Sequence, residues 1–257
     1  MKQHVIEINQ DKCIGCGMCV KTCVAHNIAM KEGKAQIKSD SCIKCGQCCA
    51  VCPKEAIHIS GYDSKPIART EEVRLDPKEV LDVIRFRRTI RQFQQKEISS
   101  HVVEQILEAG RLTHTAKNMQ DVSFVVLDRE KDSVEQMAVR LFRKLKPFAD
   151  LVSPMARNNQ IDDHFFFFQA PLVIVVMAND KTNGLLAAQN MEFVAEANGL
   201  GVLLSGFFIS CANASHKLKK TLKAEKGKKA AATLVLGYPD VKFYRSAQRE
   251  NLDVNYM

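Results

Sequence analysis

The sequence predicts an α+β protein with two domains: a small cysteine-rich domain and a larger domain whose central mixed sheet is flanked by helices. Two observations predict this organisation. Two evenly spaced runs of four cysteines lie between residues 13 and 52, and after residue 76 apolar segments of strand length alternate with longer segments of helical periodicity. We expect the cysteine-rich domain at 1–62, a linker at 63–75 and the larger domain at 76–257.

The two cysteine runs share the spacing C-x-x-C-x-x-C-x-x-x-C and form an internal repeat at an offset of 29 residues. This is the spacing of bacterial ferredoxins that hold two 4Fe-4S clusters, where the fourth cysteine of each run ligates the other cluster. We therefore predict two clusters, one ligated by Cys13, Cys16, Cys19 and Cys52 and the other by Cys42, Cys45, Cys48 and Cys23.

Structural zinc is the alternative for these runs, because C-x-x-C pairs also bind zinc. Two further cysteines lie outside the pattern. Cys49 falls on Val20 in the repeat, so we expect a packed thiol there, and we also expect Cys211 to be a core residue.

The formal net charge of +8 raises the question of a nucleic-acid partner. Each oxidised cluster with its four thiolates adds about two negative charges, so the loaded protein is only mildly basic. The Lys-rich segment 216–229 has the pattern of a solvated helix face, and we expect no nucleic-acid binding. Docking of an acidic electron donor is the alternative for this segment.

The longest apolar run, residues 171–178, has the length of a strand and is too short to cross a bilayer. The N-terminus has no signal-peptide pattern. With many free thiols, this predicts a cytoplasmic protein with no membrane partner. Oxygen-sensitive clusters further predict an anaerobic or microaerobic setting.

Helix caps and periodicity predict the elements of the larger domain. Asp76-Pro77-x-Glu79 begins a helix, and Ser99 or Ser100 caps the next. The expected elements after these are a strand at 123–127, a helix near 132–146, an irregular polar segment at 150–164, a strand at 171–178, a helix at about 184–198 and a strand at 233–236.

Four motifs of the larger domain resemble those of the nitroreductase superfamily of flavin enzymes. They are R-R-T-I-R-Q-F (87–93), H-T-A-K-N-M-Q (114–120), G-L-G-V-L-L-S-G (199–206) and L-G-Y-P-D-x-K-F-x-R-x-x-x-R (236–249). With its N-terminal part, the whole chain is similar to ferredoxin–nitroreductase fusion proteins. The resemblance implies a nitroreductase-like FMN domain, and a homodimer with FMN at the subunit interface.

Arg87, Arg88, Thr89 and Arg91 crowd four guanidinium and hydroxyl groups into five residues, a composition that suits a phosphate. The resemblance implies that Arg87, Thr89 and Arg91 contact the FMN phosphate or ribityl chain. It puts Arg88 at a position that often does so too, and Arg249 at the basic residue that closes on the same phosphate. A merely solvated basic helix end is the alternative.

The resemblance also implies ligands for the flavin ring. Thr115, Asn118 and Gln120 match the polar segment that bonds the ring and ribityl chain, and amide side chains both donate and accept hydrogen bonds there. Ser205-Gly206 matches the position where a backbone amide approaches flavin N5. Gly199-x-Gly201 is not read as a dinucleotide motif, because it lacks the third glycine and the preceding strand.

Three features stay open at this point. His114 stands where the family usually has Pro, and it is either a proton donor near substrate or a turn residue. Segment 150–164 is either a substrate lid or an ordinary surface loop. Phe165–Phe168 either lines an aromatic pocket or belongs to the core or a dimer contact.

The function predicted is that of an iron–sulfur flavoprotein oxidoreductase. Electrons from NAD(P)H or a ferredoxin/flavodoxin-type protein would pass through the clusters to FMN, and then to a small-molecule acceptor. By resemblance, that acceptor is a nitroaromatic, a quinone or a similar conjugated electrophile. We expect no catalytic acid, base or nucleophile from the protein. The alternatives are an electron-transfer module without a small substrate, and a redox sensor that binds nucleic acid through 216–229.

Overall fold

The computed structural model describes residues 4–62, 64–152 and 154–257. The chain forms two compact units. The first comprises Met1–Arg74 and Ala116–Met119, and the second comprises Leu75–Thr115 and Gln120–Met257. Asp63, the first residue of the expected linker, and Ser153, within the expected lid, lie outside the described residues.

The first unit is built from two copies of a small motif. The offset that relates the cysteine runs also relates helix α1 to α2, and each helix starts after a glycine with positive φ, Gly17 or Gly46. Strands pair antiparallel as β1 with β4 and β2 with β3. The elements are β1 Ile6–Ile8, α1 Met18–Thr22, β2 Ile28–Lys31, β3 Lys34–Ile37, α2 Gln47–Val51 and β4 Ile57–Ile59.

The core of the first unit consists largely of isoleucines and cysteines. Cys19 and Cys48 are buried together with Ile28, Ile57 and Ile59. A core this small stabilises a fold only weakly, so ligands that bind these thiols contribute directly to folding.

The second unit contains a four-stranded sheet of order β5-β6-β8-β7, in which all neighbours are antiparallel. An isolated parallel bridge also joins Thr89 to Val202 of the edge strand. The α+β fold class is therefore confirmed. The strands are β5 Ser123–Leu127, β6 Leu172–Ala178, β7 Gly201–Leu204 and β8 Lys229–Gly237.

Helices cover both faces of this sheet. Asp76 and Ser99 cap the first two helices by accepting hydrogen bonds from the amides of Glu79 and Val102. In the described residues, no helix is both long enough and apolar enough to span a membrane. The helices are α3 Pro77–Phe86, α4 Ser100–Leu112, α5 Lys131–Val152, α6 Pro154–Asn158, α7 Lys181–Ala197, α8 Gly206–Ala214 and α9 His216–Thr221.

Successive side chains of each strand point to opposite faces of the sheet, so the core has two layers. Ile174 and Val176 face a layer that includes α4 and α7, whereas Val173 and Val175 face a layer that includes α5, α8 and α9. β6 is buried along its whole length because both of its faces are covered.

One expected element differs from the structure. The helix expected to end near residue 146 continues to Val152, and α6 follows, so residues 150–158 are largely helical rather than irregular. Pro147 lies inside α5. A proline usually ends a helical pattern in sequence, which is why the expected helix was too short.

Asp121 joins β5 to the turn between β6 and α7. Its buried carboxylate accepts hydrogen bonds from the amides of Asn179 and Asp180, both at 2.9 Å, and from Asn183 Nδ2 at 2.8 Å. Burial alone would raise the pKa of Asp121, but these donors outweigh burial, so its pKa lies below the usual Asp value. The charged form is therefore the one that stabilises the fold.

We predict that Asp121→Asn destabilises β6 by about 2–3 kcal/mol at neutral pH, because an amide cannot accept all three hydrogen bonds. Amide hydrogen exchange of β6 in the intact protein measures this.

The pKa of Asp121 is depressed in the folded state, so the stabilisation is present above about pH 4 and is lost as pH falls through the folded pKa. The difference between the two proteins should shrink in acid. Exposed Asp128→Asn is the control, and an equal loss in that variant would contradict the assignment.

Candidate functional site

The predicted cluster ligands surround two separate cavities in the first unit. Their walls include the thiols grouped by the repeat, Cys13, Cys16, Cys19 and Cys52 around the first and Cys42, Cys45, Cys48 and Cys23 around the second.

Backbone amides point at several of these sulfurs. The amide of Asn27 donates to Cys23 Sγ at 3.4 Å, and the amide of Ala56, related to Asn27 by the repeat, donates to Cys52 Sγ at 3.3 Å. The amide of Ala35 donates to Cys13 Sγ at 3.5 Å, and this bond is the main cause of a lowered pKa at Cys13. Such donors stabilise thiolates and tune cluster potentials. The residues present therefore fit 4Fe-4S clusters.

The thiols surround a space rather than a point. In a cubane each thiolate binds a different iron, whereas zinc draws its ligands to within about 2.3 Å of one ion. Within residues 4–62, 64–152 and 154–257, no three His, Cys, Asp or Glu side chains converge on a single ion position. Two sets of four thiols, each around its own cavity, match the ligand sets of two cubanes.

The two remaining cysteines differ from these ligands. Cys49 is half-buried, does not line the cavity formed by Cys48 and its partners, and has a lowered pKa caused mainly by a side-chain hydrogen bond with Cys48. Cys211 is buried against Phe208 and its neighbours, and burial raises the pKa of its thiol to about 11. A neutral thiol in an apolar layer agrees with the expected core role.

The basic segment 87–91 follows α3 and runs along the edge of β7. Thr89 forms the bridge to Val202, and the amide of Ile90 donates to the Val202 carbonyl at 3.1 Å. Arg91 and Arg249 are exposed. This pairing fixes the segment beside the strand that leads to Ser205.

The structure shows that two of the four predicted phosphate ligands near β7 already have protein partners. Arg87 Nη1 lies 2.8 Å from Glu192 Oε1, and Glu192 is only 2% exposed. Arg88 donates to the carbonyls of Arg87 and Arg245. Glu192 was not singled out from the sequence. In the sequence, Glu192 is marked only by its position: it is a carboxylate on the face of α7 that also carries buried Met191 and Ala195.

Glu196 is a second carboxylate near the Arg87–Glu192 ion pair. Burial, reinforced by the nearby charge of Glu192, raises the pKa of Glu196. The second oxygen of Glu192 accepts a hydrogen bond from Gln189 Nε2 at 3.0 Å. Arg87 thus neutralises a buried carboxylate and anchors segment 87–91 to α7, whatever else it binds.

Ser205-Gly206 lies where β7 ends and α8 begins. The amide of Ser205 donates to the Thr233 carbonyl at 2.9 Å, whereas Gly206 is the first residue of α8, where an amide has no acceptor within the helix. A Cβ added to Gly206 would meet only open space. Val202 and Ser205 are three residues apart, or about 10 Å along a strand. A phosphate held near Thr89 and a ring held near Gly206 are separated by a distance that a ribityl chain spans, so these residues fit FMN.

The predicted ring ligands in segment 114–120 separate into two groups. The amide of Gln120 donates to Thr115 Oγ1 at 2.9 Å and closes the base of a loop in the second unit. Asn118, at the tip, belongs to the first unit, where its Nδ2 donates to the carbonyls of Ile43 at 3.1 Å and Lys44 at 2.9 Å. The structure therefore groups Asn118 with the second cysteine run.

Phe165–Phe168 is held by a buried carboxylate. Glu135 Oε1 accepts from the amides of Phe166 and Phe167, and both rings are buried. Burial raises the pKa of Glu135, although these donors and His164 oppose it. Phe165 is half-buried and lies 6.2 Å, between ring centroids, from Phe207, which is 58% exposed. The middle of this run is core. The exposed aromatic surface beside Gly206 comes instead from Phe207, a residue outside the four sequence motifs.

The sequence matches the Nitroreductase family over residues 84–238 and the 4Fe-4S dicluster domain over residues 5–53. A protein of Methanothermobacter thermautotrophicus named NADH dehydrogenase/NAD(P)H nitroreductase is 24% identical over 164 residues. The alignment covers 60% of this chain and 69% of that protein.

Solved structures share the fold of the second unit. An FMN-dependent nitroreductase from Clostridium difficile has a TM-score of 0.57 at 15% identity, covering 70% of this chain and 100% of that one. A nitroreductase with bound FMN from Desulfitobacterium hafniense has a TM-score of 0.58 at 17% identity, covering 70% and 98%. Another with bound FMN, from Bacteroides fragilis, has a TM-score of 0.55 at 18% identity, covering 69% and 99%.

We predict that Cys48→Ala and Cys49→Ala, one residue apart, have different effects. The first removes a cavity thiol and should cost the cluster held by Cys42, Cys45 and Cys23, lowering iron and acid-labile sulfide by about half. The second should leave both contents unchanged. Iron and sulfide assays after anaerobic purification measure this. An equal loss in the two variants would contradict the ligand assignment.

Proposed function

Because the chain belongs to the nitroreductase family and also carries a 4Fe-4S ferredoxin domain, it is an iron–sulfur flavoprotein oxidoreductase, and we propose how its parts work together. Two clusters pass electrons to FMN. The acceptor is a nitroaromatic, a quinone or a similar conjugated small molecule. The observation that carries this proposal is the presence in one polypeptide of eight thiols around two cavities and a second unit with the FMN-nitroreductase fold.

The two kinds of cofactor supply complementary chemistry, since clusters exchange single electrons and FMN converts between one-electron and two-electron transfer. The protein positions them. We propose that Thr89, Arg91 and Arg249 bind the FMN phosphate, because the arginines are exposed and Thr89 is fixed to β7. Arg87 and Arg88 complete this basic end while they hold the segment in place.

The flavin ring belongs at the other end of β7. The Gly206 amide is proposed to donate to N5, with Ser205 beside it, because a helix start offers unpaired donors to a developing negative charge. Thr115 and Gln120 are proposed ligands of the ring edge or ribityl chain. Asn118 retains this proposed role only if its hydrogen bonds to Ile43 and Lys44 are exchanged for bonds to the ring. No side-chain acid or base is proposed, so protons come from solvent.

We propose that the working form is a homodimer. Residues 242–257 form no helix or strand and expose Phe243, Tyr244, Leu252 and Tyr256, and α5 also exposes large apolar side chains. Apolar surface of this extent favours burial against another chain. Thiolate clusters also need a reducing compartment, which supports a cytoplasmic location.

Anaerobic purification with iron, sulfide and flavin assays tests the proposal. About eight irons and one FMN per chain are expected. Nitroaromatics and quinones should then reoxidise the reduced protein in a stopped-flow assay. Iron with no flavin after FMN reconstitution would refute the enzyme proposal. A flavin that is reduced yet reoxidised only by proteins would favour the electron-transfer module instead.

We predict that Gly206→Pro weakens FMN binding roughly ten-fold, the effect of losing one hydrogen bond, and shifts the flavin potential. Proline is tolerated at the first helical position, and Ser205 before it, with φ −81° and ψ 86°, lies outside the α region that a following proline disfavours. Fluorescence quenching and anaerobic potentiometry measure the two effects. Gly206→Ala keeps the amide and adds a Cβ in open space, so it should behave as wild type. Equal behaviour of the two variants would exclude this amide as a donor.

A further inference from the structure

The internal repeat allows the two ligand loops to be compared within one unit. Residues 13–15 of the first loop correspond to residues 42–44 of the second. The third residue of each loop has a left-handed backbone, with a φ of 70° at Gly15 and 57° at Lys44. Glycine adopts this conformation freely, whereas it is strained for lysine. The second loop therefore holds a backbone conformation that its own residue disfavours.

The third residue of each loop also donates its amide to the first ligand. The amide of Lys44 donates to Cys42 Sγ at 3.3 Å. The amide of Gly15 donates to Cys13 and, together with the amide of Ala35, lowers the pKa of that thiol. An N–H that points at a ligating sulfur stabilises the reduced form of a cluster more than the oxidised form, because reduction adds a negative charge. The repeat itself gives this interaction to both clusters.

Side chains from outside the repeat distinguish the two loops. Asn118 Nδ2 donates to the carbonyl of Ile43 at 3.1 Å and to the carbonyl of Lys44 at 2.9 Å, and Tyr62 Oη donates to the carbonyl of Lys44 at 3.1 Å. All four residues belong to the first unit. In the part of the chain that the structure describes, no side chain donates to the carbonyls of Ile14 and Gly15, so this arrangement is specific to the second loop.

One peptide group connects Asn118 to a cluster ligand. The carbonyl of Ile43 and the amide of Lys44 belong to the same peptide group. Asn118 donates to the oxygen of this group, and the N–H of this group donates to Cys42 Sγ. A carbonyl that accepts a hydrogen bond is polarised, and the N–H of its peptide group then donates more strongly. Asn118 therefore acts on Cys42 through two consecutive hydrogen bonds.

We propose that Asn118 is a positioning residue that raises the reduction potential of the cluster ligated by Cys42, Cys45, Cys48 and Cys23, and so favours the residence of an electron on this cluster. The inference rests on the proposed function, because it presumes that both clusters are present. Reduction adds one electron, supplied by the donor that reduces the protein, and it forms and breaks no bond. The polarised amide stabilises the negative charge that this electron adds.

A purely structural role is the alternative, because the same hydrogen bonds hold Lys44 in its left-handed conformation. Tyr62 separates the two roles. Its hydroxyl donates to the Lys44 carbonyl, which belongs to the next peptide group and not to the one whose N–H bonds Cys42. If holding Lys44 were the whole role, Tyr62 and Asn118 would be equivalent. If polarisation is the role, Asn118 has the larger effect on the potential.

The test is potentiometry of the holoprotein, followed by the electron paramagnetic resonance signals of the reduced clusters. Asn118→Gly removes the side-chain amide and supplies a residue that tolerates the φ of 51° at this position. At a fixed potential, the variant should lower the ratio of reduced to oxidised second cluster about two- to five-fold, since polarisation contributes a fraction of a charge-assisted hydrogen bond. The first cluster of the same molecule should be unchanged. The Cys48→Ala protein, which should retain only the first cluster, identifies the signal of that cluster.

Tyr62→Phe is the matched control. It removes a hydrogen bond to the Lys44 carbonyl and leaves the bond from Asn118 to the Ile43 carbonyl in place. It should therefore change the ratio less than Asn118→Gly does, and iron and sulfide contents should equal those of wild type in both variants.

Three results would overturn the role of Asn118 and leave the proposed function intact: no shift in Asn118→Gly, equal shifts in the two variants, or equal shifts of the two clusters. Loss of the second cluster from Asn118→Gly would establish the purely structural role and also overturn the inference. A wild-type protein without clusters would overturn both the inference and the proposed function.

Discussion

The pairing of β7 on both of its edges is the constraint on which the second unit depends. On one side β7 follows β8 in antiparallel register, and on the other it receives the bridge from Thr89. Gly201 makes this second approach possible, because a Cβ there would lie 2.4 Å from Ile90 Cγ1. The same strand thus fixes the basic segment at its start and delivers Gly206 at its end. The proposed flavin site is set by the geometry of one strand.

Buried carboxylates hold the segments that lack regular structure. Asp121 ties β5 to the start of α7, Glu135 fixes the phenylalanine turn, and Glu192 anchors the arginine segment. Each accepts hydrogen bonds from donors far away in sequence, and an ionised carboxylate is stable inside a protein only when such donors surround it. These three residues therefore connect segments that are distant in sequence, and Glu192 does so through its contact with Arg87.

The first unit depends on a different constraint. Its cysteines form part of its core, and their positions are dictated by ligand spacing and by glycines at positive φ before each short helix. The repeat makes the two halves alike in backbone. Tyr62 and Asn118 break that likeness, and they do so from outside the repeated residues. One loop is consequently covered and the other exposed.

The sequence by itself determined the features that depend on short spacing. The ligand runs, the caps at Asp76 and Ser99, the strand at 123–127 and the α+β class follow from residues within a few positions of one another. The helix through Pro147 could not be predicted, because packing overrode a local signal. Only the tertiary structure decided that Arg87 meets Glu192, 105 residues away, and that Asn118 joins the second cysteine run. The physical reason is that a partner for a charge or an amide is chosen by three-dimensional proximity, which local pattern does not encode.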